Sequence, residues 1–222
     1  MTVSGSPLSG PTSTPREDFR LAGVAFLDLV RQVPRAAWDA PGLGVWTVRE
    51  LVGHAARSLT TVVDYLAAPP PDGAAQDGIG GPLVDAIGYF RLGRQAGVTN
   101  SDAVAERGRA AGRDLGADPA VAVAGMLDRA LASVAAAPDD VVLVSRLAAT
   151  RLVDYLPTRT FELVVHGLDL QTALGLPPHA PAAPLASMLA IVTGLALDQG
   201  LGPALLLALT GRAPLPDGVC VL

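Results

Sequence analysis

The chain contains only three histidines, so each can be considered for chemistry in turn. His54 and His166 lie within apolar stretches that predict helices, where a histidine often hydrogen-bonds to a carbonyl or a carboxylate. A neutral imidazole is also the commonest metal ligand, and both interpretations apply to these two residues. His179 lies in a proline-rich segment between Pro178 and Pro181, and we expect it to be exposed and inert.

Glu162 and His166 are spaced to act together. They are four residues apart, so both side chains project from one helical face, which Asp169 shares one turn further on. A carboxylate and an imidazole beside an apolar stripe cost free energy unless they are paired or bind a metal. Glu-x3-His on one helix, completed by a ligand from a facing helix, is a standard metal site in bundles. His54 is the remaining histidine able to face it.

The Glu-x3-His spacing is weak evidence alone, because Glu50 and His54 match it as well. Thr47 and Glu50 form a capping box, in which each side chain satisfies a free backbone N–H group at the start of a helix. Glu50 is therefore expected to support a ligand through a hydrogen bond rather than to bind a metal itself.

Helical periodicity dominates the sequence, with apolar residues recurring at steps of three and four. Helices are predicted at 16–33, 47–66, 83–95, 100–116, 118–136, 157–175, 185–197 and 203–210. Asp118-Pro119 predicts a helix start, and Gly175 predicts a helix end. Gly108 and Gly112 are expected to interrupt the fourth helix and leave it mobile.

The predicted fold is all-α, a helix bundle with additional C-terminal helices and a short tail. The pattern divides the chain into a disordered tail at 1–15, the bundle at 16–175, and C-terminal helices packed on the bundle at 176–222. Residues 141–144 predict a strand or an extended connection, and the end of the tail, 211–222, predicts a short strand.

Composition excludes several classes of function. The net charge of −5 argues against a nucleic-acid-binding protein, which needs a basic face. One cysteine, Cys220, excludes an internal disulfide and a four-cysteine zinc site. The longest apolar segment, 185–197, is shorter than the roughly 20 residues that span a membrane. With no evident secretion signal at 1–15, we expect a cytoplasmic protein, and the apolar content is compatible with a homodimer.

Two segments resemble one known family. Residues 41–54 resemble the W-T-V-x-x-L-x-x-H signature of the DinB-like superfamily, in particular the mycothiol-dependent maleylpyruvate isomerase family. Residues 159–169 are similar to that family's R-x-x-E-x-x-x-H-x-x-D signature, and 210–212 match its T-G-R element. The order and separation of these motifs also agree, and the resemblance covers most of residues 16–215.

The resemblance implies a DinB-like four-helix bundle with a divalent metal, usually zinc, held by His54, Glu162 and His166. It also implies mycothiol, a low-molecular-weight thiol, as cosubstrate. Three protein ligands leave an open coordination position, where a thiol would be deprotonated near neutral pH. In the isomerase such a thiolate adds to a conjugated cis double bond, and elimination returns the trans product. Transfer to another electrophile would use the same thiolate without the elimination.

Three further residues have two interpretations each. Asp169 either accepts a hydrogen bond that orients the ring of a ligand histidine or forms a salt bridge with an arginine such as Arg159. Arg159 and Arg212 either bind a substrate or cofactor carboxylate or are surface charges at helix ends. Trp46 is predicted to be a packing residue at the entry to the second helix.

The predicted function is a metal-dependent enzyme that uses a thiol, either an isomerase or an S-transferase, acting on an electrophilic small molecule. The alternatives are a non-catalytic DinB-like metal-binding protein, acting in stress response or through a partner, and an all-helical ligand carrier. The isomerase itself has a further C-terminal domain, whereas only residues 176–222 follow the bundle in this chain. This difference argues against maleylpyruvate as the substrate more than against the metal or the thiol.

Overall fold

The computed structural model describes residues 13–68, 83–97 and 102–222. These residues form eight α-helices and two short antiparallel hairpins, which confirms the all-α class. The helices are α1 (Pro15–Arg31), α2 (Val48–Ala67), α3 (Ala86–Gln95), α4 (Asp102–Asp114), α5 (Pro119–Ala136), α6 (Leu152–Ala173), α7 (Ala182–Asp198) and α8 (Gly202–Leu209). The hairpins pair β1 (Pro41–Leu43) with β2 (Trp46–Thr47), and β3 (Val142–Val144) with β4 (Ala149–Arg151).

Four helices form the bundle. Both α1 and α2 pack against α5 and α6, so α1 and α2 lie diagonally opposite each other. The core between them is built from side chains with no exposed surface, among them Phe19, Leu59, Val123 and Leu156. Full burial of such a side chain contributes roughly 1.5–3 kcal/mol. This packing places α2 beside α6, the two helices that carry His54 and His166.

The predicted helix ends are confirmed at three points. The Thr47 hydroxyl accepts the N–H of Glu50, while the Glu50 carboxylate accepts the N–H of Thr47, which completes the capping box of α2. Asp118 caps α5, which begins at a proline. Gly175 follows α6 with a φ of +67°, a left-handed conformation that glycine adopts without steric cost.

Helix α6 begins at Leu152, five residues before the predicted start at Pro157. Pro157 lies inside the helix, where it removes one intrahelical hydrogen bond. Two interactions offset this loss. The N–H of Leu152 donates to the carbonyl of Val141, and the side chains of Leu152, Tyr155 and Leu156 are buried. Burial of these side chains in the tertiary structure therefore stabilises a helix that begins before Pro157, although proline usually occurs in the first turn of a helix.

Helix α4 is not interrupted by its glycines, contrary to the sequence-based expectation. Gly108 and Gly112 lie where α4 crosses the start of α2. A Cβ at Gly108 would lie 2.6 Å from the ring of Trp46, and one at Gly112 would lie 2.9 Å from the Cα of Glu50. A Cβ at Gly53 of α2 would overlap the backbone of Gly112. The glycines are thus contact positions that allow two helix backbones to approach closely.

The two hairpins were only partly predicted. The run 141–144 does contain a strand, β3, but its partner β4 and the β1–β2 hairpin were not anticipated. Residues 211–222 form no strand, so that prediction is wrong.

The predicted tail lies mostly outside the described residues, and α1 begins at Pro15 with Thr14 as its N-cap. The Pro/Gly connection 69–82 and the first residues of the predicted helix 100–116 also lie outside them.

The C-terminal helices extend the bundle on one side. Helix α7 packs on α1 and α6, and the Ser187 hydroxyl of α7 donates a 2.6 Å hydrogen bond to the buried carboxylate of Asp18. Helix α8 contacts α7 and has no buried residue.

Among the described helices, α5 is long and apolar enough to cross a membrane, a test that a core helix of a soluble protein also passes. Val123, Leu127, Ala130 and Val134 of α5 lie in the core.

Candidate metal centre

Helices α2 and α6 bring three potential ligands together. His54 comes from α2, whereas Glu162 and His166 come from one face of α6, one turn apart. The Oε2 atom of Glu162 lies 3.8 Å from Nε2 of His54 and 3.3 Å from Nε2 of His166. One potential ligand atom from each residue lies within 4.8 Å of the others. Within 13–68, 83–97 and 102–222, no other group of three His, Cys, Asp or Glu residues meets in this way.

Asp169 orients the His166 ring. Its Oδ2 atom lies 2.9 Å from Nδ1 of His166. With Nδ1 carrying a proton toward Asp169, the lone pair of the neutral ring is on Nε2, which faces Glu162. No ion pair joins Asp169 to Arg159, so of the two interpretations of Asp169 the structure contains the hydrogen bond to histidine.

His54 is held by packing rather than by a hydrogen bond. The Trp46 ring lies against its imidazole with the ring centroids 4.4 Å apart, and the Trp46 indole N–H donates to the carbonyl of Ala105. The Nδ1 atom of His54 is buried and has no hydrogen-bond partner among the described residues. The sequence suggested that Glu50 supports His54 through a hydrogen bond. The structure contains no such bond, and the Glu50 carboxylate instead accepts the N–H of Thr47 in the capping box.

Burial and mutual contacts shift the pKa values of all three candidate ligands. Burial alone would raise the pKa of Glu162, but its interactions with His166 and His54 and the charge of Arg159 hold it well below its usual range. For His166, burial opposes the charged form, yet Asp169 and Glu162 raise its pKa to about 9. Burial, together with repulsion from His166, lowers the pKa of His54. In the metal-free protein, protonated His166 thus forms an ion-paired cluster with Glu162 and Asp169, beside a His54 ring whose charged form is disfavoured by burial.

The donor set fits a divalent cation such as Zn²⁺. Two imidazole nitrogens and a carboxylate oxygen are its common protein ligands, at roughly 2.0–2.2 Å, which places tetrahedral donors roughly 3.4 Å apart. The separations of 3.3 and 3.8 Å from Glu162 lie near this spacing. The side chains of His54 and His166 are 18% and 15% exposed, so the cluster has one open side.

The open side of the cluster is a cavity of about 700 Å³. One wall consists of Tyr65, Tyr89 and Tyr155, whose rings pack edge to face around Tyr155. Burial raises the pKa values of Tyr89 and Tyr155, so both phenols are protonated near neutral pH and can donate hydrogen bonds. The sequence pattern alone does not place these three tyrosines near the candidate ligands.

Arg159 and Arg212 have different outcomes. Arg159 lines the cavity, and its guanidinium lies over the rings of Tyr155 and Tyr89 at 5.0 and 5.7 Å from their centroids. It is therefore not a surface charge. Arg212 is exposed after α8 and is not among the residues that line the cavity, so its proposed role in cofactor binding stays a prediction. The Thr210-Gly211-Arg212 segment ends a helix, with Gly211 at a φ of +70°.

Sequence reasoning missed three further arginines that line the cavity, Arg57, Arg107 and Arg146. Arg57 follows His54 by three residues, so helical spacing alone could have placed it on the same face. Arg107 and Arg146 come from α4 and from the β3–β4 turn, whose positions depend on tertiary contacts that the sequence pattern does not show.

Comparison with known proteins agrees with the geometry. Residues 19–171 match the family model described as the mycothiol maleylpyruvate isomerase N-terminal domain. The chain belongs to this family. The matched region contains His54, Glu162, His166 and Asp169, and so includes both helices of the candidate centre. The family match ends before the Thr-Gly-Arg segment at 210–212. No curated protein and no solved structure matches the chain.

Proposed function

We propose that the protein is a metal-dependent, mycothiol-using enzyme, an isomerase or thiol S-transferase that acts on an electrophilic or unsaturated small molecule. His54, Glu162 and His166 would hold the metal, with zinc the best match to the donor set. The observation that carries the proposal is the convergence of these donors at a cavity in a member of a family named for mycothiol and isomerase activity.

Each residue of the centre has a defined task in this function. A divalent cation bound there would lower the pKa of a coordinated thiol and so supply the thiolate nucleophile near neutral pH. Asp169 keeps Nε2 of His166 available by holding the proton on Nδ1. Trp46 fixes the plane of the His54 ring by packing against it.

The cavity walls would bind and orient the substrate. Arg159 presents a positive charge beside Glu162 and can bind a carboxylate or polarise a carbonyl oxygen. The phenol of Tyr89 remains protonated and can donate a hydrogen bond to the same group, whereas the Tyr155 hydroxyl donates to Thr61. The apolar side chains of Phe90, Phe161 and Val165 line the cavity as well and would limit the access of water to the reacting atoms.

Elemental analysis followed by thiol titration tests the proposal. We expect about one zinc per chain in the purified protein and loss of this metal in His166→Ala, because a remaining pair of ligands binds far more weakly. His179→Ala is the matched control, since the side chain of His179 is exposed and outside the cavity. Equal metal content in the two variants would exclude the centre.

Titration with mycothiol separates an enzyme from a non-catalytic metal-binding protein. The metal-loaded protein should bind mycothiol and consume it in the presence of a conjugated electrophile, whereas the chelator-treated protein should do neither. Metal binding without any effect of mycothiol would favour the non-catalytic alternative.

A further inference from the structure

Three arginines line the same cavity and have no carboxylate partner among the described residues. Arg57, Arg107 and Arg146 line it from α2, from α4 and from the β3–β4 turn. None of their guanidinium groups forms an ion pair within the described part of the chain. Asp102, an exposed carboxylate that also lines the cavity, pairs with none of them. The arrangement therefore concentrates positive charge in a protein whose net charge is −5.

On the outer surface some arginines form ion pairs, whereas others, such as Arg35, form none among the described residues. Arg91 pairs with Asp198, and Arg151 pairs with Asp154. Because an ion pair satisfies a guanidinium group, unpaired arginines that line one cavity repel one another, and a bound anion relieves this repulsion. Burial and repulsion from Arg146 and Arg57 lower the pKa of the Arg107 guanidinium.

The backbone positions of Arg107 and Arg146 are fixed by contacts of their neighbours. Arg107 precedes Gly108, which packs on the Trp46 ring. Arg146 lies in a turn that Ser145 closes, because its hydroxyl accepts hydrogen bonds from the N–H groups of the two residues after Arg146. Such preorganisation reduces the entropy lost when a ligand binds.

We propose that Arg57, Arg107 and Arg146 form a binding site for a group with two negative charges, either a phosphate monoester or a pair of carboxylates, in the outer part of the cavity. Arg146 is exposed, whereas Arg57 and Arg107 are half-buried, so the site extends from solvent toward the metal centre. Planar guanidinium groups bind phosphate and carboxylate oxygens through paired hydrogen bonds. As a statement about the substrate, the inference rests on the proposed function. The anion site itself can be tested without it.

Calorimetric titration with inorganic phosphate, succinate and acetate tests the site, using the purified protein before and after treatment with a chelator. We expect a dianion to bind at least tenfold more tightly than acetate in both preparations. Arg107→Gln and Arg146→Gln should each weaken dianion binding about tenfold, since each removes one charge-assisted contact. Arg35→Gln is the matched control, because Arg35 is exposed and does not line the cavity.

Phosphate binding alone would identify a phosphate ester, succinate binding alone would identify a dicarboxylate, and binding of both would show a site that recognises charge. Each result supports the site. Acetate binding as tight as that of both dianions, or unchanged affinity in Arg107→Gln and Arg146→Gln, would overturn it. Arg146→Gln changes an exposed side chain on a turn, so misfolding cannot account for its result. Metal content, measured in the same samples, reports separately on the proposed function.

Discussion

Asp169 determines which nitrogen of His166 faces the centre, through a 2.9 Å contact with Nδ1. We expect Asp169→Asn to weaken zinc binding about tenfold at pH 7.5. The amide still accepts a hydrogen bond but no longer supplies the charge that makes the ring a stronger ligand. This tenfold loss of zinc affinity is at the lower end of the roughly 10–100-fold range for partners of metal ligands. The reason is that the His166 ring of the variant also binds the proton that competes with zinc less tightly. Competition with a chromophoric chelator measures the affinity.

Asp154→Asn is the control for this substitution, because Asp154 lies in the first turn of the same helix and pairs with Arg151. Its zinc affinity should equal that of the unchanged protein. An Asp169→Asn protein that binds zinc as tightly as this control would show that the hydrogen bond has no part in metal binding.

Protonation of His166 makes metal binding depend on pH. Its pKa of about 9 in the metal-free protein means that a proton must leave before the metal binds. Apparent zinc affinity should therefore rise by about tenfold per pH unit up to about pH 9 and then level off. Titrations in buffers of different ionisation enthalpy should show about one proton released per metal at pH 7.5. No proton release would contradict the raised pKa.

At the level of single residues, helical spacing predicted the contact partners on α6 well. Glu162, His166 and Asp169 share a face because their spacing follows the helical repeat. Their contact with His54 was inferred only from the small number of histidines and from the family resemblance. Spacing could not show that Trp46 covers the His54 ring, since this contact also depends on α4.

At the scale of elements, the close packing of α2 against α4 determines one wall of the cavity, which both helices line. We expect Gly112→Ala to destabilise the protein by about 1–3 kcal/mol, because the added Cβ would lie 2.9 Å from the Cα of Glu50 and the backbones must separate. Gly125→Ala in α5 is the control. Its Cβ would meet only the flexible end of Arg129, so the better helix propensity of alanine should stabilise it by about 0.5–1 kcal/mol. Urea unfolding measures both changes.

A Gly112→Ala protein as stable as the Gly125→Ala control would show that the two helices are not in close contact. The sequence could not have predicted this crossing, because glycine within a helical pattern usually indicates a less stable helix rather than a close contact between two helices. The start of α6 was missed for a related reason. Pro157 is a local signal, whereas the burial of Leu152 and Tyr155 depends on the rest of the fold.

For the whole molecule, the ion-paired cluster links stability to pH. The folded-state pKa of His166 lies above its ordinary value of 6.5, so its contribution is complete below pH 6.5 and is lost as pH rises through about 9. The metal-free protein should lose at most about 3 kcal/mol of its free energy of unfolding over this interval. Urea unfolding at pH 6.5 and pH 9 measures the loss.

His166→Ala is the control for this dependence and should show a smaller change over the same interval. The zinc-loaded protein should also show a smaller change, because the metal replaces the proton. Equal changes in the metal-free protein and in His166→Ala would exclude His166 as the source.

The all-α class follows from apolar periodicity and could be predicted from the sequence, whereas the packing of α2 beside α6 was expected only from the small number of histidines and the family resemblance. The cavity could not be predicted. Its walls combine two hairpins and two outer helices with the bundle, and each of these was predicted at most as a local element. Local patterns therefore identified the candidate ligands but not the charge around them.

The packing of Trp46 against His54 gives the protein an intrinsic optical probe. Of its two tryptophans, Trp38 lies under Arg49 and is not among the residues that line the cavity, whereas the Trp46 indole touches a candidate ligand directly. In a Trp38→Phe protein, all indole emission would come from the centre. Rapid-mixing fluorescence could then follow occupancy of the centre in real time, without a dye or a chromogenic substrate.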